Sequence, residues 1–459
     1  MADNTDSDFD VVILGGGSGG YACALRASQL GMRVAMVERE KVGGTCLHWG
    51  CIPTKALLHA AEVADHAREG AAIGVNTTLE SIDMKKVNAY RDGVIGRLYK
   101  GLQGLVGSAK ITVVEGDGRV VDASTVEVNG KRLTGKHLVL ATGSYARTLP
   151  GLEVGGRVLT SREALDLDFV PTSAVIIGGS VIGVEFASVW RSFGCDVTIV
   201  EALPHLVPLE DEMLSKQLER AFRKRKINFK VGTKFESVSQ NDDGVTVTLE
   251  GGDTLKAEVL LIAVGRGANG AGMGLEEAGI TVDRGWVPTD ERLRTNVDGV
   301  FAVGDLVPGL QLAHRGFQHG IFVAEEIAGL SPMPVPDINI PRVTYCDPEI
   351  GSIGLTEKQA TEQLGEVETY EYNLGGNGRS QILQTSGVVK LVREKDGPIV
   401  GVHMIGSRMG EQIGEATLMV NWEAYPEDVA QFVHAHPTQT EALGEAALAL
   451  AGKPLHSHA

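Results

Sequence analysis

The clearest potential for chemistry in this sequence lies in two cysteines, Cys46 and Cys51, with four residues between them. Such a pair can form a structural disulfide, hold a metal or exchange electrons as a redox disulfide. Residues five apart on a regular helix lie about 140° apart around its axis, too far for a bond that needs Cβ atoms about 3.8 Å apart. We therefore expect an irregular backbone between them, which Gly50 permits.

Cys51 is expected to lie near the N-terminus of a helix over residues 55–68, with Pro53 in its first turn. The partial positive charge at a helix N-terminus lowers the pKa of a thiol and favours the thiolate. The remaining cysteines, Cys23, Cys195 and Cys346, are isolated in sequence and are expected to be small buried residues. These features favour a redox role over a structural disulfide.

A redox pair needs an electron carrier beside it, and the start of the chain supplies a site for one. A predicted strand, a glycine turn and a predicted helix follow one another, and Gly15, Gly17 and Gly20 fit the pattern G-x-G-x-x-G. This pattern brings a backbone close to a pyrophosphate at a helix N-terminus. The next predicted strand ends at Glu38, where a carboxylate can bind a ribose hydroxyl.

The same arrangement occurs a second time, which predicts two dinucleotides in one chain. Gly178 and Gly183 hold the outer glycine positions, Ser180 replaces the middle glycine, and the following strand ends at Glu201. The Cβ of Ser180 is expected to restrict the approach of the pyrophosphate slightly. The carboxylate of Glu201 favours a ribose 2′-hydroxyl over a 2′-phosphate, so we expect NAD rather than NADP.

Composition limits the classes of partner. The chain has 459 residues, 43% apolar residues and a net charge of −17, which argues against nucleic acid or an anionic membrane as a main partner. The acidic N-terminus lacks the basic and hydrophobic regions of a signal peptide. We expect a cytoplasmic protein, with a processed organellar form as the alternative.

The segment GGTCLHWGCIPTK, residues 43–55, resembles the active-site segment of the pyridine-nucleotide disulfide oxidoreductases. The resemblance covers almost the whole chain and is also specific at HPTQTE, residues 436–441. It implies an α/β fold with two Rossmann-like dinucleotide-binding domains, for FAD and NAD, and an α+β C-terminal dimerisation domain. The expected boundaries are 1–149 for the first part of the FAD domain, 150–266 for the NAD domain, 267–336 for the second FAD part and 337–459 for dimerisation.

The resemblance also implies the site residues. The implied catalytic residues are Cys46, Cys51, Lys55, Glu185, His436 and Glu441. The implied FAD contacts are Gly15, Gly17, Gly20, Glu38, Thr45, Lys55, Thr142, Gly143, Ser144, Gly304, Asp305, Ala313 and His314. The implied NAD contacts are Gly178, Ser180, Gly183, Glu201, Val264 and Gly265. No metal site is expected.

From sequence alone, some of these residues also fit a purely structural role. Glu185 fits a solvated helix face, and His314 fits a packed core histidine. The two histidines of His434-Ala435-His436 fit half of a metal site without a third ligand nearby. Glu441 with Thr438 fits a capping box at the start of the last helix, over 438–451. The resemblance instead implies that His436 is a base oriented by Glu441 and that Glu185 pairs with Lys55 beside the flavin.

The resemblance implies that the enzyme oxidises a dithiol on the lipoyl group of an acyltransferase in a 2-oxo acid dehydrogenase complex, working as a homodimer. Val181 fits this activity better than the tyrosine of the glutathione-reductase branch. Two alternatives stay open from the sequence. One is an NAD(P)H-dependent reductase of another small disulfide, and the other is a flavin NADH:quinone oxidoreductase that does not use the cysteines.

Overall fold

The computed structural model describes residues 8–456. These residues form two compact units, which we describe separately. The first unit contains the described residues up to Ala56 together with Lys85–Arg147 and Gly265–Asp337. The second contains Leu57–Met84, Thr148–Val264 and the described residues from Ile338 onward.

The helices and strands are given in chain order. Residues 8–147 contain β1 (Phe9–Leu14), α1 (Ser18–Gln29), β2 (Val34–Glu38), α2 (Gly44–Trp49), α3 (Cys51–Glu69), α4 (Met84–Ser108), β3 (Thr112–Glu115), β4 (Arg119–Asp122), β5 (Thr125–Val128), β6 (Lys131–Leu140) and β7 (Ser144–Ala146). Residues 148–264 contain β8 (Val158–Leu159), α5 (Ser161–Leu165), β9 (Ser173–Ile177), α6 (Val181–Phe193), β10 (Asp196–Val200), α7 (Glu212–Lys224), β11 (Asn228–Lys230), β12 (Phe235–Asn241), β13 (Gly244–Leu249), β14 (Thr254–Ala257) and β15 (Val259–Ile262).

The later elements follow in the same order. Residues 265–337 contain β16 (Arg266–Ala268), β17 (Val300–Ala302) and α8 (Ala313–Ile327). Residues 338–456 contain β18 (Arg342–Thr344), β19 (Glu349–Gly354), α9 (Glu357–Leu364), β20 (Val367–Asn373), α10 (Gly378–Ile382), β21 (Val388–Glu394), β22 (Ile399–Gly406), α11 (Met409–Asn421), α12 (Pro426–Val429) and α13 (Glu441–Leu450).

The first unit is built on a sheet whose parallel part has the strand order β3-β2-β1-β6-β17. The first residues of β6 also pair with β5, which continues antiparallel to β4. Residues Val11–Leu14 of β1 are fully buried, as expected for a central strand covered on both faces. A small antiparallel sheet joins β7 to β16.

Helices α1 and α8 pack closely in this unit because glycines face each other. A Cβ on Gly320 would come within 2.3 Å of the Gly19 carbonyl oxygen, so a larger residue cannot be placed there without moving a helix. This packing holds the N-terminus of α1, where the first glycine turn ends, against the middle of α8.

The second unit contains a parallel sheet with the order β11-β10-β9-β15-β8 and a three-stranded antiparallel sheet, β12-β13-β14. Its C-terminal part has the antiparallel order β18-β19-β22-β21-β20, and α11 and α13 pack on this sheet. The two parallel sheets, each begun by a strand, a glycine turn and a helix, confirm the predicted Rossmann-like folds. The antiparallel sheet with its helices confirms the α+β C-terminal part.

Three local expectations were wrong in detail. Helix α3 begins at Cys51 rather than near Lys55, and α13 begins at Glu441 rather than at Thr438. Over residues 84–107, the spacing of apolar residues that include Leu98, Leu102 and Leu105 predicts a buried stripe on one helix face. In α4, Leu98 and Leu105 are exposed. Within residues 8–456, no helix combines the length and the apolar character needed to cross a membrane.

Candidate active site

The two cysteines are brought together by a break between two helices. Helix α2 ends at Trp49, Gly50 has φ −146° and ψ −107°, and α3 begins at Cys51. The Gly50 carbonyl accepts hydrogen bonds from the Thr54 backbone N–H at 3.1 Å and from its hydroxyl at 2.7 Å. The structure holds both cysteines as thiols whose side chains are hydrogen-bonded to each other. The predicted irregular backbone at Gly50 is confirmed.

The electrostatics of the pair distinguish the two thiols. The hydrogen bond to Cys51 raises the pKa of Cys46 far above its usual range, and burial and the charge of Cys51 act in the same direction. The nearby charge of Lys55, one turn after Cys51 on α3, opposes this rise. In the reduced pair, the raised pKa of Cys46 favours its protonated form.

The first glycine turn has the geometry of a dinucleotide cradle. A Cβ on Gly15 would lie 2.3 Å from the Ala141 carbonyl oxygen, and one on Gly20 would lie 1.9 Å from the Gly15 carbonyl oxygen. By contrast, a Cβ on Gly17 would meet nothing within 4 Å, so open space lies beside the N-terminus of α1. Glu38 braces the turn, because its Oε2 accepts the Gly16 N–H at 2.7 Å.

The second turn repeats this geometry with one substitution. A Cβ on Gly183 would lie 1.9 Å from the Gly178 carbonyl oxygen, and Glu201 Oε2 accepts the Gly179 N–H at 2.7 Å. Ser180 precedes α6 with φ −89° and ψ −169°, an extended conformation that costs a side chain nothing. Its side chain makes no capping hydrogen bond to the helix. Serine at this position therefore strains no backbone.

The later residues expected to contact FAD lie in the first unit with the cysteines and the first turn. Ser144 donates its hydroxyl hydrogen to Asp305 Oδ2 at 2.6 Å, and the Thr142 hydroxyl donates to the Asn269 carbonyl at 2.8 Å. The Gly304 N–H donates to Nδ1 of the buried His319 at 3.3 Å.

The remaining expected contacts are placed as follows. Thr45 lies in α2, half-buried, and Gly143 has a positive φ of 71° just before β7. Ala313 begins α8, and His314 beside it is exposed, so the alternative of a packed core histidine is wrong. At the end of β15, Val264 is half-buried and Gly265 is exposed with φ 94°.

One residue near the cysteines was missed in the sequence. Arg266 is half-buried in β16, and its Nε donates to Ser144 Oγ at 2.7 Å. Arg266 directly follows the predicted NAD contacts Val264 and Gly265, so the sequence indicates only that it ends the predicted NAD domain. Its side chain instead contacts a serine 122 positions earlier, a pairing that no local pattern shows.

Glu185 lies on α6 in the second unit and is 3% exposed, so the alternative of a solvated helix face is wrong. Its Oε1 accepts the backbone N–H of Tyr345 at 2.9 Å. Removing a carboxylate from water costs free energy, which hydrogen bonds of this kind offset. This burial suits a residue with a defined role.

The C-terminal histidine segment forms a base and carboxylate pair. His436 Nδ1 lies 2.8 Å from Glu441 Oε1, and the His436 ring is 77% exposed while the Glu441 side chain is 23% exposed. Burial acts to raise the pKa of Glu441, but hydrogen bonds from the Thr438 N–H and from His436 outweigh it and hold that pKa below its usual value. Glu441 is thus an anion that orients an accessible imidazole.

The capping box considered for Glu441 is half formed. Glu441 Oε2 accepts the Thr438 backbone N–H at 2.7 Å, but the Thr438 hydroxyl donates to the Ala435 carbonyl at 2.7 Å instead of accepting a helix N–H. The neighbouring His434 is bound to Glu415, with its Nε2 2.7 Å from Oε1, and is 12% exposed. Within residues 8–456, no group of three or more His, Cys, Asp or Glu side chains is arranged to hold a metal ion.

The isolated cysteines are buried, which confirms that expectation. Cys23, Cys195 and Cys346 each have 0% exposure. Burial raises the pKa of Cys23 and of Cys195 to about 12, so neither thiol ionises at neutral pH. Only Cys46 and Cys51 combine partial exposure with a neighbouring thiol.

Comparison with known proteins identifies the family. Residues 9–320 match the family described as pyridine nucleotide-disulphide oxidoreductase, and residues 340–447 match the dimerisation domain of the same description. The chain therefore belongs to the pyridine nucleotide-disulphide oxidoreductase family. This membership confirms the fold class, the enzyme class and the two cofactors, FAD and NAD, expected from the sequence.

Individual relatives extend the match over the full length. The chain is 41% identical over 471 residues to dihydrolipoyl dehydrogenase of Bacillus subtilis, covering 98% of this chain and 99% of that protein. It is 37% identical over 472 residues to mitochondrial dihydrolipoyl dehydrogenase 1 of Arabidopsis thaliana, covering 99% and 93%. The crystal structure of LpdA from Mycobacterium tuberculosis has the same fold, with a TM-score of 0.89, 24% identity and coverage of 96% and 99%.

Proposed function

We propose that this protein oxidises dihydrolipoamide to lipoamide with NAD, the activity for which its Bacillus subtilis relative is named. The observation that carries the proposal is the hydrogen-bonded pair of Cys46 in α2 and Cys51 at the N-terminus of α3. This pair lies in the same compact unit as the first dinucleotide cradle.

The first cradle fits FAD. Open space beside Gly17 and uncapped N–H groups at the start of α1 suit a pyrophosphate, and Glu38 suits a ribose hydroxyl. Thr45, Lys55, Ser144 and Asp305 lie in the same unit, as do the other FAD contacts implied by the resemblance. When bound, FAD supplies a two-electron carrier between the Cys51 thiolate and the pyridine nucleotide.

The second cradle fits NAD in the same way. Gly178, Ser180 and Gly183 lie at the N-terminus of α6, and the Ser180 side chain does not cap that helix. Glu201 keeps both carboxylate oxygens on backbone N–H groups, at 2.7 Å from Gly179 and 2.8 Å from Leu203. A fixed anion at this place disfavours a 2′-phosphate.

The cysteines carry the substrate electrons by thiol–disulfide exchange. A substrate thiolate attacks Cys46 Sγ of the oxidised pair, the Cys46–Cys51 bond breaks, and Cys51 leaves as a thiolate. The second substrate thiolate then attacks the substrate sulfur of the mixed disulfide and releases Cys46, which takes up a proton. The substrate loses two electrons and the cysteine pair gains them. The raised pKa of Cys46 suits this end state.

His436 is the base that removes and returns these protons. Its exposed ring can reach a substrate, and Glu441 holds Nδ1 so that Nε2 is presented. We propose that it serves the cysteine pair of a second subunit in a homodimer, consistent with the match to a dimerisation domain. Lys55 and Glu185 are proposed to support the site beside the flavin N5, the roles that the family resemblance implies for them.

A mixed dimer tests the shared site. One subunit carries Cys46→Ser and the other His436→Gln. If the sites are shared, one site carries both changes and the other is intact, so about half of the wild-type activity remains. If each chain supplied its own histidine, both sites would be damaged and activity would be close to zero.

The proposed partner is the lipoyl-bearing acyltransferase of a 2-oxo acid dehydrogenase complex, and the proposed location is the cytoplasm. The domain boundaries at 149/150, 266/267 and 336/337 stay a prediction. Co-purification of the chain with an acyltransferase core supports this partner. A chain that never associates with such a core in its native cell extract contradicts it.

Steady-state rates decide between the proposed substrate and its rivals. We expect turnover with lipoamide and NADH to exceed turnover with glutathione disulfide and NADPH by several orders of magnitude, and Cys46→Ser to abolish it. Equal or better rates with glutathione disulfide would overturn the substrate. Quinone reduction at the physiological rate by Cys46→Ser would overturn the role of the cysteines.

A further inference from the structure

Arg266 belongs to a chain of hydrogen bonds within the first unit. Strand β16 pairs antiparallel with β7, with Arg266 opposite Ala146. The Arg266 Nε donates to Ser144 Oγ at 2.7 Å and its Nη2 donates to the Ser144 carbonyl at 2.8 Å. The Ser144 hydroxyl in turn donates to Asp305 Oδ2 at 2.6 Å. One guanidinium therefore holds both Ser144 and, through it, Asp305.

The charges around Arg266 connect this chain to the cysteines. Burial lowers the pKa of Arg266, and the negative charges of Asp305 and of Cys51 oppose that change. The Asp305 carboxylate also helps to raise the pKa of Cys46. An arginine keeps its proton at any pH at which the enzyme works. Arg266 is thus a permanent cation that interacts electrostatically with both Cys51 and Asp305.

We propose that Arg266 is a positioning residue for the redox site: its guanidinium fixes Asp305 through Ser144 and supplies a permanent positive charge that stabilises the Cys51 thiolate. The inference rests on the proposed function, since it assigns Cys51 as the thiolate. It adds a second cation to Lys55, which lies on α3 one turn from Cys51. Unlike lysine, arginine binds two acceptors in a fixed fork, which suits simultaneous contacts to a hydroxyl and a carbonyl.

The test measures the ionisation of Cys51 instead of turnover. In a Cys46→Ser background only Cys51 of the pair can ionise, and its thiolate is followed by the long-wavelength absorbance that it gives beside bound FAD, as a function of pH. Arg266→Met is expected to move the midpoint of this titration to higher pH by about one pH unit, the lower end of the effect of a close opposite charge, because the cation is shared with Asp305. Arg266→Lys is expected to keep the midpoint near that of the parent.

Arg147→Met is the matched control. Arg147 follows β7, is exposed, and donates its backbone N–H to the Gly265 carbonyl at 3.1 Å, so its substitution removes one positive charge near the same small sheet. Its titration is expected to coincide with that of the parent. If the lost charge acted only at long range, the Cys51 midpoint would shift equally in Arg266→Met and Arg147→Met. That result would overturn the local role of Arg266.

A second variant keeps the proposal testable if Arg266→Met does not retain flavin. Asp305→Asn removes the anion that shares the cation, so the Cys51 midpoint is expected to move to lower pH. An unchanged midpoint in either variant that retains flavin overturns the proposal. Failure of the proposed function is distinguishable, because it appears as missing lipoamide turnover in the wild type, whereas the Cys51 titration is measured without lipoamide.

Discussion

Gly183 offers the sharpest test of the second cradle. A Cβ at this position would lie 1.9 Å from the Gly178 carbonyl oxygen, while carbon and oxygen normally approach to roughly 3.3 Å. To relieve this overlap, Gly183→Ala must move the two segments of the turn at the N-terminus of α6 apart by roughly 1 Å or more. Overpacking of this kind costs about 1–3 kcal/mol.

The strain falls on the turn that we propose to bind the NAD pyrophosphate, so it is expected to appear as weaker nucleotide binding. A cost of about 1–3 kcal/mol corresponds to a loss of affinity of roughly fivefold to 150-fold. Reduction of the flavin by a dithiol through Cys46 and Cys51 does not use this turn and is expected to be unchanged. Anaerobic titrations with NADH and with dihydrolipoamide measure the two properties separately.

Gly414→Ala is the matched control, because a Cβ at that position in α11 meets nothing within 4 Å. Its NADH affinity is expected to equal that of the wild type. If Gly183→Ala binds NADH within twofold of the wild type, the reasoning about the second cradle is refuted. Weaker NADH binding together with equally weaker reduction by dithiol would indicate general unfolding, which circular dichroism would reveal.

Two further predictions concern the second unit. Lys390 is 4% exposed, and its Nζ lies 3.0 Å from Oδ1 of Asp211, which is 3% exposed. Lys390→Met leaves the Asp211 carboxylate buried without this partner and is expected to lower the free energy of unfolding, measured by urea denaturation, by about 3–5 kcal/mol. A loss below about 1 kcal/mol would show that the pair is dispensable. The hydrogen bond to Glu415 raises the pKa of His434, and burial only partly offsets it. A raised folded-state pKa contributes stability that is fully present below the unfolded value of about 6.5 and is lost as pH rises through the folded-state pKa. Glu415→Gln is therefore expected to destabilise the protein at pH 5.5 by about 1 kcal/mol and much less at pH 9, and equal destabilisation at both values in thermal unfolding would contradict the ion pair.

The fold and the two cradles were predictable because their requirements are local. Gly15, Gly20 and Glu38 stand at fixed spacing after a strand, and the same spacing recurs at Gly178, Gly183 and Glu201. The structure shows why: in each turn the outer glycines approach a carbonyl oxygen and the glutamate binds a backbone N–H. Gly20 and Gly183 approach a carbonyl oxygen of their own turn, and each glutamate binds an N–H of the same turn, so a sequence pattern can express these contacts. The approach of Gly15 to the Ala141 carbonyl and of Gly178 to the Ala263 carbonyl joins segments that are far apart in the chain.

Features that depend on distant parts of the chain were not predictable in this way. Arg266 contacts Ser144 because β16 pairs with β7, and a sequence pattern carries no sign of that pairing. The exposed Leu98 and Leu105 follow from which face of α4 is covered, a property of its neighbours. Thr438 and Glu441 fit a capping box in sequence, but the Thr438 hydroxyl donates to the Ala435 carbonyl instead of accepting a helix N–H.

The roles of Cys46 and Cys51 are tested most directly by an anaerobic titration of the enzyme with dihydrolipoamide. The raised pKa of Cys46 favours its thiol form, and the proposed route places the thiolate on Cys51. One equivalent is therefore expected to produce a long-wavelength band from the Cys51 thiolate beside the flavin, and NAD is expected to remove it. Cys51→Ser is expected to show no such band. A band of undiminished intensity in Cys51→Ser would contradict the assignment of the thiolate and with it the proposed route of the electrons.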